Sequence, residues 1–372
     1  MVEQVVDRSR YRFLQDSSDK LMFEENKKDG LSGLIRTRNE APLLSACIDS
    51  CIGALDELIV VCSDCTDNTL EILEAKRQQY PDKLRIFEYN HNVLSFDLTK
   101  EEFEYAKSLP DDSPRLYANL CNFGLSKARY KYVTKIDADQ LYFADELKKW
   151  RDVCSVDVQE KWHISFIWGW FFMLYFSLYR RMSLRCDRPC LWMIPDWFVR
   201  LFFKSYTDYS QWMLQHGKGL IALSGVNVFK DDRWYVTFDG INIHPPYNGE
   251  GDTVIFKVSD QTYWSRYCRE RIPYSVTEVF NSPCRRLMFT RPMWFHLHAN
   301  RKYCCDRVKK VKDAHPEWFV PVEDFPSMTY REVLDKMDKK AHSLFQMTLF
   351  ALIHKTGKDV ISKHIDMLVS QK

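Results

Sequence analysis

Asp56-Glu57-Leu58-Ile59-Val60-Val61-Cys62 is a short apolar run, closed by Ser63-Asp64-Cys65-Thr66-Asp67-Asn68-Thr69, a turn full of helix-capping side chains. The pattern reads as a buried strand handing over to a helix. Upstream, Ala41 to Leu55 carries Leu44, Cys47, Ile48, Cys51 and Leu55 at helical spacing, preceded by Leu31–Glu40, a strand that runs into a polar loop. Downstream, Leu70–Tyr80 reads as a helix stopped before Pro81, and Leu84–Tyr89 as a third strand. Strand, helix, strand, helix, strand predicts an α/β fold with a mostly parallel sheet and right-handed crossovers. Ligands on such sheets sit beyond the carboxyl ends of the strands. The loops at Arg38–Glu40, Ser63–Asp67 and Asp137–Asp139 all fall there.

Further along, residues 90–114 read as a polar loop, Arg115–Lys127 as a helix and Tyr130–Thr134 as the strand before Lys135-Ile136-Asp137-Ala138-Asp139-Gln140. Residues 141–160 continue as helix. Strands are expected at Leu220–Phe229, Trp234–Phe238, Thr253–Val258 and Arg286–His298. Residues 327–371 read as one or two amphipathic helices, with Ser327 as a cap and Gly357 as a break. The expected organisation is an N-terminal arm (1–30), a first half of the α/β domain (31–160), an aromatic-basic block (161–218), a second half of that domain (219–326) and a helical tail (327–372).

The chain has 372 residues, 45% hydrophobic and 15% aromatic, which is enough for a large core and argues against global disorder. A net charge of +2, with no Lys/Arg-rich run, gives no footprint for nucleic acid. Met1–Arg10 has no apolar core, so no secretory signal is expected. The twelve cysteines are scattered, as in a cytoplasmic protein with mostly reduced thiols. Residues 161–218 differ from the remainder. They hold 17 aromatics and eight Lys/Arg against three Asp, which points to the interface of an anionic membrane, on the inner face of the cytoplasmic membrane. The plainer reading of that block is a buried subdomain.

Two carboxylates at i and i+2 beyond a buried strand suit a divalent cation carrying a diphosphate, because both offer hard oxygen ligands to one crevice. The plainer reading of Asp137 and Asp139 is an acidic turn. The tokens Ile35-Arg-Thr-Arg-Asn-Glu-Ala41, Ser63-Asp-Cys-Thr-Asp-Asn68, Asn122-Phe-Gly-Leu-Ser-Lys-Ala128 and Lys135-Ile-Asp-Ala-Asp139 stand in an order that resembles family-2-like glycosyltransferases of the GT-A fold. More narrowly the chain is similar to bacterial lipooligosaccharide β-1,4-N-acetylgalactosaminyltransferases. Gly251-Asp252-Thr-Val-Ile-Phe256 and Phe289-Thr-Arg-Pro-Met-Trp-Phe-His296 look like that family's later G-D and histidine segments. The aromatic-basic block looks like an insertion. Cys62 and Ser63 stand where common family-2 enzymes carry an aspartate pair, with Asp64 one place later.

The resemblance implies a metal-dependent, inverting transfer of a hexose or N-acetylhexosamine from a UDP-sugar to a glycan or glycolipid acceptor on the bacterial surface. The implied cofactor is Mn2+ or Mg2+, held by Asp139 with Asp137, His296 and His298; strand alternation puts both histidines on one face. Asp137 is also assigned to the ribose. Arg36, Arg38, Asn39, Glu40, Asp64, Asp67 and Lys135 are candidates for the nucleotide, with loop capping as their plainer role. Asp252, Glu250 and Asp239 are candidates for the base that deprotonates the acceptor, or else simple hairpin residues.

Three rivals stay open. A sugar-phosphate nucleotidyltransferase would use a related sheet, but Leu31-Ser-Gly-Leu34 is poor in glycine for a triphosphate loop. A thioredoxin-like dithiol at Cys62/Cys65, or zinc shared with Cys186/Cys190 or Cys304/Cys305, would be another chemistry. A non-catalytic glycan-binding protein is the last.

Overall fold

The computed structural model describes residues 27–370 apart from 159, 161–162, 184–195, 239–243, 250, 252, 285 and 338–342. In chain order, β1 (Lys28–Thr37), α1 (Ala41–Cys51), β2 (Glu57–Cys62), α2 (Thr69–Gln79) and β3 (Leu84–Glu88) give the expected alternation. Then come α3 (Lys100–Ser108), α4 (Tyr117–Ser126), β4 (Tyr130–Ile136), β5 (Gln140–Tyr142) and α5 (Ala144–Cys154). Two long helices follow, α6 (Ile164–Ser183) and α7 (Asp196–Gln215). The strands β6 (Leu220–Lys230), β7 (Trp234–Thr237), β8 (Tyr247–Asn248), β9 (Val254–Lys257), β10 (Tyr263–Arg269), β11 (Ser275–Asn281) and β12 (Leu287–His296) come next. The chain closes with α8 (Lys302–Ala314), β13 (Phe319–Pro321), α9 (Tyr330–Lys336), α10 (Leu344–His364) and α11 (Asp366–Val369).

These elements form two compact units. The first is drawn from Met1–Ala138, Cys154–Val156 and Phe256–Arg285, the second from Asp139–Val153, Asp157–Ile255 and Arg286–Lys372.

In the first unit β4, β1, β2 and β3 pair in that order, all parallel. Parallel strands are covered on both faces, which is why β2 is buried at all six positions, Glu57 included. Burying Glu57 would be costly without partners. Ser32 Oγ and the Arg129 N–H donate to one oxygen, and Arg85 pairs with the other at 2.8 Å. The register sets Arg36 opposite Val61 and Ile35 opposite Ile136, so Arg36 and Asp137 emerge at the same carboxyl edge.

The segment expected to be loop holds α3. Its signal lay in Thr99-x-x-Glu102, which forms a reciprocal capping box. Phe103 and Ala106 then pack with Leu116 and Val276. Val276 sits in the antiparallel hairpin β10–β11, which strand patterning did not single out.

In the second unit β6 is the organising strand. It pairs parallel with β12 and antiparallel with β7, β8 and β9, and β12 pairs antiparallel with β5. The expected helix over 141–160 is thus a strand up to Tyr142 and a helix only from Ala144. In the tail, Thr329 rather than Ser327 caps a helix, through a second capping box with Glu332. Helix α10 runs through Gly357 without a break. A side chain there would place Cβ 2.1 Å from Pro292 Cδ, so this glycine lets the helix lie against β12. Gly357→Ala should therefore destabilise the protein by about 1–3 kcal/mol. A chemical-denaturation midpoint equal to wild type would show that the contact has no such weight.

Candidate functional site

In the second unit, strand pairing assembles a cluster from distant parts of the chain. His296 closes β12, opposite Gln140 of β5 and Asn227 of β6. Asp139 immediately precedes β5, and its carbonyl accepts the Leu297 N–H at 2.8 Å. His298 is not on the strand, as alternation predicted. It opens a 3₁₀ turn, His298–Asn300. Asn300 ties that turn to β6 by donating to the Val228 carbonyl and accepting the Lys230 N–H. The turn directs His298 and Arg301 to the same carboxylate.

The geometry is compact. Asp139 is 2% exposed. Its Oδ2 accepts from Arg301 Nε at 3.0 Å and lies 3.3 Å from His298 Nδ1. Its Oδ1 is buried with no hydrogen-bond partner, and faces His296 Nε2 at 3.5 Å. Burial alone would raise the Asp139 carboxyl, but its interaction with His296, the hydrogen bond with His298 and the Arg301 guanidinium outweigh it and hold the group well below the usual carboxylate range.

His296 Nδ1 stands 2.6 Å from Asn227 Oδ1, with Asn248 on the same nitrogen at 3.2 Å. Asn227 Oδ1 can only accept, so the short contact calls for a proton on Nδ1; in the neutral ring that turns the Nε2 lone pair toward an equally electron-rich carboxylate oxygen. Two lone pairs facing each other across that gap call for a proton or a cation between them. A third imidazole, His244, lies with its ring centre 4.9 Å from His298 and 5.5 Å from His296. Burial and the two neighbouring histidines push its pKa down to about 3, so it is a neutral imidazole.

Among the described residues, Asp139, His296 and His298 form the metal-capable group, with their ligand atoms all within 4.8 Å of one another. One carboxylate oxygen and two imidazoles suit Mn2+ better than Mg2+, which favours an all-oxygen shell; the same donors also suit iron or zinc. Asp137 is not in the group.

Asp137 belongs to a different cluster, in the first unit. Arg36, buried, donates Nη2 to Asp137 Oδ1 at 2.8 Å and Nη1 to Glu278 Oε1 at 2.9 Å, with Tyr117 beneath its guanidinium. Lys135 Nζ completes the set, 3.6 Å from Glu278 and 3.9 Å from Asp137. Arg36 and Lys135 are therefore occupied in holding acids at the sheet edge rather than presented for phosphate. Glu278 comes from the unread hairpin, so no sequence signal pointed to it.

The remaining nucleotide candidates shape the loops. Asn39, in the left-handed region at φ 57°, accepts from the Thr66 and Asp67 N–H groups. Asp64, at φ 48°, accepts from the Asn92 and Val93 N–H groups. Asp67 accepts from the N–H groups of Thr69 and Ala41, linking the starts of α2 and α1. Those bonds outweigh burial and hold its carboxyl below the usual range. The Glu40 N–H donates to Thr69 Oγ1, and Arg38 donates to the Val93 carbonyl.

Asp239, Glu250 and Asp252 lie outside the described residues, as do Cys186 and Cys190. Cys62 and Cys65 are joined as a disulfide. A thioredoxin-like dithiol has its helix starting at the first sulfur; here Cys62 ends β2 and α2 starts only at Thr69. A separate cavity of about 590 Å3 in the second unit is lined in part by Lys149, Lys204, Arg291 and Lys355; none of the Asp139 cluster lines it.

No curated protein matches the chain. Among solved structures, it is similar to glucosyl-3-phosphoglycerate synthase from Mycobacterium tuberculosis, in complex with Mn2+, UDP and phosphoglyceric acid, at 19% identity and a TM-score of 0.21. That match covers 33% of this chain and 36% of the other, so the chain spans about a third of that relative's length. It is also similar to S. aureus TarS (1–349), at 11% identity and a TM-score of 0.31, covering 91% of each chain. At those scores no role passes from either protein to this one. The family model of beta-1,4-N-acetylgalactosaminyltransferase (CgtA) matches residues 18–173. That stretch holds β1 to β4, the Arg36–Asp137 pair and Asp139, and the matched family is the one that the sequence tokens resemble.

Proposed function

We propose that the protein transfers a hexose or N-acetylhexosamine from a UDP-sugar to a hydroxyl of a bacterial surface glycan, with inversion at the sugar. Asp139, His296 and His298 would hold a divalent cation. The observation that carries this reading is the buried, unpartnered Oδ1 of Asp139, which faces His296 Nε2 at 3.5 Å. Such a cation, when bound, neutralises the diphosphate as it leaves.

The chain's own residues prepare that place. Arg301 spends its Nε–H on Oδ2, which leaves Oδ1 as the open oxygen of Asp139. Asn227 holds the His296 ring through Nδ1, which turns Nε2 toward the carboxylate. Arg36 holds Asp137 at the strand edge, where its carboxylate, 29% exposed, can accept from a ribose hydroxyl.

Transfer needs a base. The acceptor O–H gives its proton to a carboxylate, the freed oxygen bonds to the anomeric carbon, and the bond to the diphosphate breaks with its electron pair on the leaving group. Asp252 is the proposed base, with Glu250 and Asp239 as competitors. Support comes from the flanking glycines. Gly249 (φ +116°) and Gly251 (φ +111°) hold backbone conformations that side chains resist, and a Cβ at Gly249 would meet the Leu223 carbonyl at 2.2 Å. The backbone there can come close to a substrate.

The test is nucleotide release from UDP-GalNAc and UDP-galactose with and without Mn2+, paired with thermal shift. Asp139→Ala and His296→Ala should each cut turnover about 10²–10³-fold and abolish the rise in Tm that Mn2+ and UDP give together. Full turnover in both variants would sink the assignment. Retained ligand binding with no turnover in the wild type would instead mark a glycan-binding protein.

A second prediction follows from the Asp139 carboxyl. Its folded pKa lies below its unfolded one, so its ion pairs stabilise fully above the unfolded value, about pH 4, and are lost as pH falls through the depressed value. The gap in urea midpoint between wild type and Asp139→Asn should therefore narrow as the pH drops from about 6 to about 2.5. A gap that does not change across that range would contradict the ion pairing.

A further inference from the structure

Helices α6 and α7 pack against each other through one face and leave another open. On the inner face Phe172 stacks on Phe198 at 5.5 Å and meets Tyr206 at 5.1 Å, while Tyr206 stacks on Phe289 of β12 at 4.8 Å. Gly169 makes the approach possible, since a Cβ there would lie 2.3 Å from the Ser205 carbonyl. On α6, Ile164, Ile167, Trp168, Phe171 and Leu178 fall on one side of a 3.6-residue helix, and all five are exposed, Ile164 by 73%. On α7, Trp197 and Leu201 are 61% and 63% exposed.

A helix apolar on every side normally lies in a core or in lipid. Among the described residues no helix is long and apolar enough to cross a membrane. What remains is a helix pair with large, exposed apolar side chains on both helices, uncovered among the described residues.

The charge of the segment selects the cover. Residues 161–218 hold eight Lys/Arg against three Asp. Arg180 and Arg181 lie on the last turns of α6, and Arg200 on the first turns of α7. Two copies of so basic a segment would repel each other, whereas an anionic leaflet is attracted by about 1 kcal/mol per basic residue near it. The stripe Trp197, Leu201, Lys204 continues along α7 to Asp208 and Gln211, which line the cavity of about 590 Å3. In that lining Lys149, Lys204, Arg291, Lys355 and Lys358 outnumber Glu146, Asp208 and Asp359.

We infer that the α6–α7 pair docks flat on an anionic lipid leaflet, with Trp168, Phe171, Trp197 and Leu201 entering the headgroup boundary and Lys204 meeting lipid phosphate. Tryptophan favours that boundary because its ring is apolar while its N–H needs a partner.

Co-sedimentation of the full chain with vesicles tests this, using phosphatidylcholine alone and phosphatidylcholine with phosphatidylglycerol. The wild type should bind the anionic vesicles, less so as salt rises, and hardly bind the neutral ones. Phe171→Ser/Leu201→Ser should weaken binding about tenfold or more, with Tm unchanged because both side chains are at least half exposed. Lys204→Glu should weaken binding to anionic vesicles only. No binding by the wild type, or equal binding by the double variant, overturns the inference. So does a concentration-dependent dimer in light scattering that the double variant abolishes, because the face would then belong to a second copy.

Discussion

The second unit depends on one buried carboxylate. Asp139 would be expensive to bury alone, since a lone charge in a protein interior costs several kcal/mol even after relaxation. It is tolerated because β5, β12 and the turn after β12 bring His296, His298 and Arg301 to it. Those three come from one stretch of six residues, so the strand pairing that sets the fold also sets the cluster. The compensation is incomplete: Oδ1 has no hydrogen-bond donor. A half-satisfied buried carboxylate is a poor structural device and a good ligand.

The first unit handles its charge differently. Arg36, Asp137, Glu278 and Lys135 neutralise one another at the carboxyl edge of the sheet, with Tyr117 packed on the guanidinium. Arg36 is buried and Asp137 is not. The arginine is thus a fixed support, and the acid it holds keeps accessible oxygen. The loops around this edge are stitched by Asn39, Asp64 and Asp67, whose side chains accept backbone N–H groups. These residue types are favoured in tight loops because short polar side chains replace missing backbone partners and tolerate the left-handed region.

Much of this was legible in the sequence, and the gaps have physical causes. The alternation of β1 to β4 with helices was readable because parallel strands are continuous apolar runs. The hairpin β10–β11 was not, since Ser265, Arg266, Glu278 and Asn281 interrupt any alternation. Helix α3 hid in a polar segment whose one clear sign was its capping box. Gly357 read as a break because propensity is local, while its reason is Pro292, sixty-five residues away. Asp139, His296 and His298 could be named from residue type and resemblance. Arg301, Asn227 and His244 could not, because what makes them neighbours is the register of β6 against β12, and a single sequence does not print register.

The strand β12 also connects the two surfaces of the second unit. Its early residue Phe289 packs on Tyr206 of the helix pair, and its last residue is His296. Seven residues of extended chain span about 23 Å. If the helix pair rests in a leaflet, the carboxylate–histidine cluster stands up to that distance from the docking face. One strand thus carries both the packing surface of the helix pair and the last ligand of the cluster, and its register against β6 fixes the two together.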